Sequence, residues 1–171
     1  PNEGADGSFS LYGDDGNDVV VGGNGEDWIE GGRGNDLLDG GNGSDTYYFE
    51  RGFGQDRISE PATPGLSQSL GLELYTRGFT DQQIAEQVLG TRNRILFAPD
   101  IAPEQVVLTA AASINLIVSI AGTSDQITLD RWLVPGEAGI QQIAFSDGTT
   151  WDVTDISARA FLATALDDTV Y

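Results

Sequence analysis

Residues 22–30 read GGNGEDWIE and residues 31–39 read GGRGNDLLD, and these two blocks decide the fold of the chain. The same nine-residue period extends to residues 13–21 (GDDGNDVVV) and 40–48 (GGNGSDTYY). A looser copy, RGFGQDRI, occupies residues 51–58 after two extra residues. Tandem repeats at a fixed short period are typical of repeat architectures, in which each unit stacks on its neighbours.

Each block has two parts. The first six residues, Gly-Gly-x-Gly-x-Asp, predict a turn, because glycine suits sharp bends and positive φ. The last three predict a very short strand with one large apolar residue in its middle. Stacked coils would align these residues as an inner core ladder, which no single coil can bury alone. The ladder residues are Val20, Ile29, Leu38, Tyr47 and Ile58.

Composition narrows the chemistry. The 171-residue chain has no Cys and no His, carries a net charge of −19 and has a pI of about 4.1. Zinc, haem and iron–sulfur sites lose their usual ligands, and a Ser-His-Asp or Cys-His catalytic group cannot be built. A field this acidic repels nucleic acid and anionic membranes, and no apolar run reaches the roughly 18 residues of a membrane span. It favours a hard cation with oxygen ligands, above all calcium, and the chain is predicted not to be an enzyme.

The remainder of the chain changes character twice. Residues 59–93 predict a loop and connector with one short helix, Asp81–Leu89, preceded by a capping-box pattern. From residue 94 the pattern is strands and turns, followed by an Ala-rich helix at Ile156–Leu166. The candidate strands are Arg94–Ala98, Gln105–Ala110, Ile114–Ala121, Gln126–Asp130, Ile140–Phe145 and Thr150–Val153. The fold class expected is mostly β, with a parallel β-roll of nonapeptide repeats (1–58), the connector (59–93) and a β-rich domain with one or two short helices (94–171).

The nine-residue period resembles the G-G-x-G-x-D-x-U-x signature of the RTX (repeats-in-toxin) haemolysin-type calcium-binding repeats, tightly over residues 13–48 and loosely over 51–58. Residues 94–156 resemble the haemolysin-type calcium-binding-related domain that often follows such repeats. The stretches that carry this second resemblance include Ile95-Leu96-Phe97, Asp125-Gln126-Ile127-Thr128-Leu129 and Ile143-Ala144-Phe145. The resemblance implies a companion domain after the roll and leaves open whether that domain closes it.

The resemblance also implies a ligand set. Calcium takes six to eight oxygens from carboxylates and carbonyls. Two blocks make one coil, so each block lies beside the second block after it, and in the family each ion sits between such neighbouring turns. Each ion takes the main-chain carbonyls of repeat positions two and four and the Asp of one turn. It also takes the main-chain carbonyls of positions one and three and the Asp of the neighbouring turn. Carried onto this chain, the first site uses Asp14, Gly16, Asp18, Gly31, Arg33 and Asp36; the second uses Gly23, Gly25, Asp27, Gly40, Asn42 and Asp45; the third uses Gly32, Gly34, Asp36, Arg51, Phe53 and Asp56.

Two or three calcium ions are expected, because the two-residue insertion affects the third site and Phe9 stands where an earlier aspartate would be. The second glycine of the first copy is replaced by Asp14. The clustered carboxylates repel one another, so folding is expected to be coupled to calcium binding.

The expected function is that of a calcium-binding structural module of a larger secreted bacterial RTX protein. By resemblance, the chain is exported unfolded through a one-step secretion channel and folds on calcium outside the cell, where it is secreted, extracellular or on the cell surface. The start at Pro1 and the Leu166–Tyr171 ending, which looks like the lead-in to another repeat array, predict neighbouring domains of the same long chain as partners. The alternative is a calcium-dependent polysaccharide- or cell-surface-binding (adhesin) module.

Three sets of side chains bear on that alternative: three tryptophans, three acids near the C-terminus and four arginines. They are Trp28, Trp132 and Trp151; Asp147, Asp152 and Asp155; and Arg51, Arg57, Arg92 and Arg94. The tryptophans form either a sugar-stacking surface or ordinary packing. The acids form either an extra calcium or catalytic site or simply turns and strand ends. The arginines either bind an acidic glycan or pair with surface acids.

Overall fold

The computed structural model describes residues 7–60, 92–111, 114–134 and 139–166, and of residues 162–166 only the backbone. The predicted helix Asp81–Leu89 lies outside these ranges. Within them the chain forms twelve strands, a 3-10 turn at Pro103–Gln105 and one α-helix. The strands are β1 (Ser10–Tyr12), β2 (Val19–Asn24), β3 (Trp28–Glu30), β4 (Leu37–Asn42), β5 (Thr46–Phe49), β6 (Gln55–Ile58), β7 (Arg94–Phe97), β8 (Val106–Ala111), β9 (Asn115–Ile120), β10 (Gln126–Leu129), β11 (Gln142–Ala144) and β12 (Thr150–Asp152); the helix is α1 (Val153–Leu166).

The strands form two six-stranded sheets. The first has the order β1-β3-β5-β7-β11-β12, and the second has the order β2-β4-β6-β10-β9-β8. Through the repeats the chain alternates between the sheets, and every strand pair there is parallel. Antiparallel pairing enters only at the far end of each sheet, where β12 joins β11 and β8–β10 form a meander. This is the strand-rich parallel β-roll that the repeats predicted.

The register shows how the repeats stack. Ser10 pairs with Trp28 and Val19 pairs with Leu37, so each strand lies beside the strand two blocks later. The predicted arrangement of two nine-residue blocks per coil is therefore confirmed. Leu38 pairs with Ile58, which shows that the two-residue insertion is absorbed before β6.

The predicted inner ladder is the core of the roll. Ile29, Leu38, Tyr47 and Ile58 are each at most 1% exposed, and Val20 at the N-terminal end is 9% exposed. Alternate strand residues face opposite sides of a sheet, so the middle residue of each three-residue strand faces inward while its neighbours face solvent. One apolar residue per coil and sheet is thus enough to build a continuous core.

The core continues into the C-terminal part through strands that recur every 48 residues. Tyr47 pairs with Ile95, and Ile95 pairs in turn with Ile143. A row of phenylalanines follows two residues later: the ring centroids of Phe49 and Phe97 lie 6.5 Å apart, and those of Phe97 and Phe145 lie 5.5 Å apart. Both sheets therefore contain strands from the repeats and from the C-terminal part. The boundaries predicted at residues 58 and 94 stay a prediction.

Helix α1 covers the C-terminal end of the two sheets, where it packs on β8, β11 and β12. Val153, Ile156 and Ala160 form its buried face. The helix begins three residues before the predicted start at Ile156, because the Asp152 carboxylate accepts the backbone N–H groups of Thr154 and Asp155 as an N-cap. In the described part of the chain, no helix is long and apolar enough to cross a membrane.

The structure also bears on two of the open side-chain alternatives. Trp132 and Trp151 are buried in the core, and Trp28 stacks on Tyr48 on a face of the roll. Asp147 closes a turn by accepting the N–H of Thr149. Packing therefore accounts for Trp132 and Trp151, and turn and cap roles account for the acids, while the sugar-stacking alternative stays open for Trp28. The Ile140–Phe145 strand shortens to β11, and Gln105 belongs to the 3-10 turn instead of β8.

The phenylalanine row predicts the effect of a core truncation. Phe97 is 1% exposed and contacts rings on both sides, so Phe97→Ala is expected to reduce the free energy of unfolding by about 3–5 kcal/mol. Urea unfolding at saturating calcium measures the change. The matched control is Phe161→Ala, since Phe161 is 65% exposed and its truncation is expected to change stability by at most about 0.5 kcal/mol. Equal effects of the two substitutions would contradict the assigned core.

Candidate metal centre

The last residue of each repeat turn is an aspartate, and these aspartates stack in two columns. One column contains Asp18, Asp36 and Asp56, and the other contains Asp27 and Asp45. All except Asp18 are at most 2% exposed. Because the turns repeat with the coil, the roll brings carboxylates together that are 18 or 20 residues apart in the sequence.

One carboxylate oxygen of Asp27, Asp36, Asp45 and Asp56 is held by the backbone of the neighbouring coil. Asp36 Oδ1 accepts the N–H of Asp18 at 2.9 Å, and Asp56 Oδ1 accepts the N–H of Asp36 at 2.9 Å. In the other column, Asp45 Oδ1 accepts the N–H of Asp27 at 2.9 Å. These bonds orient each carboxylate, so that the position of its second oxygen is also defined.

The second oxygen has no such partner at four of the five aspartates. Oδ2 of Asp18, Asp36, Asp45 and Asp56 is buried without a hydrogen bond, while Asp27 Oδ2 accepts the N–H of Gly23 at 3.0 Å. An ionised oxygen that loses water and gains no partner is strongly unfavourable. A cation offsets this penalty, and oxygen ligands at the surface of a turn suit calcium. The residues present therefore fit the predicted ion.

The structure brings the turns of each predicted site together. In the first site, Gly16 donates to the Arg33 carbonyl and Arg33 donates to the Asp14 carbonyl, both at 2.8 Å. In the second, Gly25 donates to the Asn42 carbonyl at 2.7 Å.

The third predicted site has the same arrangement. Gly34 donates to the Phe53 carbonyl at 2.7 Å, and the side chain of Arg51 pairs with Asp100, so only the main chain of Arg51 is offered to an ion. A carbonyl oxygen has two lone pairs, so one hydrogen bond leaves capacity for a metal. Coordination of an ion by any of the three sets stays a prediction.

The turn glycines are required by close packing around these oxygens. A Cβ built on Gly34 would overlap the carbonyl oxygen of Gly16, and one built on Gly31 would lie 2.5 Å from Asp36 Oδ2. Gly34 also has φ +154°, which L residues rarely adopt. The cradle that holds the carboxylates and carbonyls therefore has no room for a larger residue.

Asp14 shows what happens where the motif departs from glycine. It adopts φ +68°, a left-handed conformation that disfavours an L residue by about 1–2 kcal/mol, although Asp tolerates it better than most. Its side chain is exposed, while its carbonyl faces the neighbouring turn. The substitution is therefore compatible with a ligand role for the Asp14 carbonyl.

Sequence reasoning missed how the Asp27 column continues. Asp45 donates its N–H to Asn93 Oδ1 at 2.8 Å, and Asn93 donates its N–H to Gln141 Oε1 at 2.7 Å. The two amides repeat the hydrogen bond of the aspartates without their charge. A sequence signal could have revealed them. A polar residue stands two positions before the first residue of each of the sequences Tyr47-x-Phe49, Ile95-x-Phe97 and Ile143-x-Phe145, and these sequences are spaced by 48 residues.

The Asp36 column ends differently. Strand β10 places the apolar Ile127 beside Asp56. Two residues earlier, the Asp125 carboxylate accepts the N–H groups of Gly52 and Gly54, at 2.9 Å and 3.3 Å. This carboxylate is therefore used to hold the last repeat turn, and it was not among the predicted site residues.

The small number of acidic side chains at each predicted site agrees with a site whose ligands come mostly from the main chain. Among the described residues, no group of three or more Cys, His, Asp or Glu side chains could hold a metal ion. Each predicted site brings together two carboxylates, so carbonyls must supply most of the remaining oxygens. Calcium accepts such a mixed set, whereas zinc in proteins is bound mainly by Cys and His.

Burial changes the protonation of the columns. Burial raises the pKa of Asp45 to about 6, with contributions from the charges of Asp27, Asp39 and Glu26, while the N–H bond from Asp27 lowers it. Burial likewise raises the pKa of Asp56 to about 7, with contributions from Asp36 and Asp125 against the N–H bond from Asp36. When no cation is bound, Asp45 therefore keeps its proton up to about pH 6 and Asp56 up to about pH 7.

Comparison with known families agrees with this site. Residues 12–47 match the family model of the RTX calcium-binding nonapeptide repeat (4 copies), and residues 115–155 match that of the haemolysin-type calcium binding protein related domain. Both resemblances are therefore confirmed. The repeats indicate a calcium-binding module of RTX-type proteins, a repeat family that is structural rather than catalytic. A search of the curated proteins finds no match to the chain.

The raised pKa values predict a pH dependence with a definite sign. Asp45 and Asp56 bind protons more tightly in the folded chain than in the unfolded one, where aspartate titrates near about 3.9. Without calcium, their contribution to stability is present at low pH and is lost as pH rises through about 6 to 7. Calcium affinity is expected to change oppositely and to weaken as pH falls through the same range, because the ion displaces the protons.

Calorimetric titration at about pH 6.5 in buffers of different ionisation enthalpy measures the released protons. A matched titration near pH 8.5 serves as the control, since both carboxylates are then already ionised. Absence of proton release at the lower pH would show that these two carboxylates do not bind the ion.

A further prediction concerns the glycines that pack around the carboxylate and carbonyl oxygens of the turns. Gly34→Ala is expected to weaken calcium binding and to destabilise the calcium-bound fold, because its Cβ overlaps the Gly16 carbonyl oxygen. Gly122→Ala is the matched control: Gly122 lies outside the repeats and also has a positive φ, +81°, but a Cβ there meets nothing within 4 Å. The control is expected to lose about 1–2 kcal/mol from backbone strain and to keep its calcium affinity. Calcium isotherms and thermal unfolding of both variants test the difference, and an equal loss of affinity in both would contradict it.

Proposed function

We propose that the chain is a calcium-folded structural module of a larger secreted bacterial RTX protein. It is exported with its repeats unfolded at low cytosolic calcium, and the repeats fold when they meet calcium outside the cell. RTX repeat proteins are typically secreted, and this supports an extracellular location. The neighbouring domains of the same long chain are its proposed partners, and the proposal gives the module no catalytic role.

The buried Oδ2 atoms of Asp18, Asp36, Asp45 and Asp56 carry this proposal. A neutral hydrogen-bond donor could satisfy each Oδ2 atom separately. The carboxylates recur at every coil, however, so their negative charges lie close together and repel one another. The aspartates therefore oppose folding unless they are protonated or share cations. A ligand that binds only the folded chain stabilises it in proportion to RT ln(1 + [L]/Kd), so calcium concentration controls the fraction of folded chains.

The carboxylate pairs support about three ions. Three pairs are linked by the carboxylate–backbone bond, namely Asp18 with Asp36, Asp36 with Asp56, and Asp27 with Asp45. The third predicted site is supported because the bond from Asp36 to Asp56 has the same 2.9 Å length as in the regular repeats, in spite of the insertion. At Asn93 the partner carries no charge, so the next position along that column offers only one carboxylate.

The second candidate function is a calcium-dependent polysaccharide- or cell-surface-binding (adhesin) module. The observation that favours it is a polar groove on the outer face of the first sheet, where Trp28 and Arg94 lie on either side of Thr46. This function requires the calcium-folded roll, so it adds to the structural role and does not replace it.

Calcium titration of the chelated protein tests the proposal. Far-UV circular dichroism is expected to show β-structure gained as calcium is added, with about three ions bound per chain by calorimetry and with magnesium ineffective, since Mg²⁺ demands stricter geometry. No gain of structure with calcium would overturn the proposal.

Two variants sharpen the test. Asp36→Asn keeps the amide oxygen that can accept the Asp18 N–H but removes the charge shared by two sites, so about one ion should remain. Asp14→Asn removes the same charge from an exposed side chain and is expected to leave the stoichiometry unchanged. If both variants lose the same number of ions, the carboxylate columns are not the binding sites.

A further inference from the structure

A row of polar side chains crosses the outer face of the first sheet. The strand register aligns one residue from each of five neighbouring strands, namely Ser10, Trp28, Thr46, Arg94 and Gln142. With strands about 4.8 Å apart, the row spans about 19 Å. A groove with a volume of 590 Å³ lies over this row.

The groove combines a flat ring with hydrogen-bonding groups. The ring of Trp28 stacks on Tyr48, with centroids 5.3 Å apart, which limits its rotation and leaves it half-buried. Hydroxyls of Ser10 and Thr46 and the amide of Gln142 line the same groove. An apolar ring face next to several convergent polar groups is the composition expected of a small-ligand site, and it suits a sugar ring with its hydroxyls.

The groove is lined by two arginines as well as by the acids Glu26 and Asp27. Arg92 and Arg94 both line it, although the chain has a net charge of −19 and only eight basic residues. Arg94 Nε donates to Thr46 Oγ1 at 3.1 Å, which holds the guanidinium over the sheet. A guanidinium presents two parallel N–H groups that match a carboxylate or a sulfate.

Calcium links this groove to the metal centre. Glu26, Asp27 and Ser44 form its turn side, and Asp27 is a predicted ligand of the second calcium site. Without an ion the turns are predicted not to fold, so the groove would lose one of its walls. The remaining negative charge of the chain acts weakly on a ligand here, because at physiological salt charges farther than about 8 Å are largely screened.

We propose that this groove binds an acidic polysaccharide, with a sugar ring on Trp28 and a carboxylate or sulfate on Arg94. The inference deepens the second candidate function and rests on the calcium-folded roll of the proposed function. The guanidinium of Arg94 favours an acidic sugar chain over a neutral one, and the length of the row favours several linked sugars over a single one.

The test uses the full chain in saturating calcium and a hyaluronan hexasaccharide as the acidic probe. Isothermal titration calorimetry is expected to show binding, with no comparable binding of the neutral maltohexaose. Arg94→Gln and Trp28→Ala are each expected to weaken binding by about tenfold or more, as for the loss of a charged hydrogen bond or of a stacking platform. Circular dichroism during calcium titration checks that each variant still folds.

The matched control is Arg57→Gln, which removes the same charge on the other sheet and is expected to leave the affinity for the hexasaccharide unchanged. Failure of calcium to fold the chain would overturn the structural proposal, and with it this inference. A chain that folds with calcium but binds no hexasaccharide would overturn this inference alone. Equal binding of the neutral sugar, or an equal loss in Arg57→Gln, would show that the groove does not recognise the acidic group.

Discussion

The rest of the structure depends on a single repeated contact, in which an aspartate at the end of one turn accepts the backbone N–H of the equivalent residue one coil earlier. This contact sets the coil-to-coil spacing, aligns the short strands and places the apolar ladder inside. It also leaves the other carboxylate oxygen buried without a partner. The bond that aligns the coils thus also creates an electrostatic penalty, which either a proton or a cation offsets.

The C-terminal part keeps the alignment and removes the penalty. Asn93 and Gln141 make the same backbone contact as Asp45 but carry no charge. At the other column, Ile127 takes the position beside Asp56, and Asp125 is satisfied by two N–H groups. The stacked carboxylates of the repeat turns therefore have no counterpart in the continuation of both sheets, which is stabilised by burial and neutral hydrogen bonds.

The repeats could be predicted well because their chemistry is local. A turn of glycines, an aspartate and an inward apolar residue follow within nine positions, so the ladder residues Ile29 and Leu38 and the paired turns could be derived directly from the period. The continuation could not, since its coils return only after 48 residues and its polar position changes from Asp to Asn to Gln. Asp125 was missed for a related reason, because its role depends on N–H groups more than 70 residues earlier in the chain.

The stacking of coils also has a mechanical meaning. Strand β1 lies at one end of the first sheet and β12 at the other, and the chain passes from coil to coil between them. A force that pulls these two ends apart therefore acts along the stack and loads the outermost strand first, whose hydrogen bonds open a few at a time like a zipper. The roll is consequently expected to extend in steps of one coil, and an ion bound between two neighbouring turns, as proposed above, would hold successive steps together.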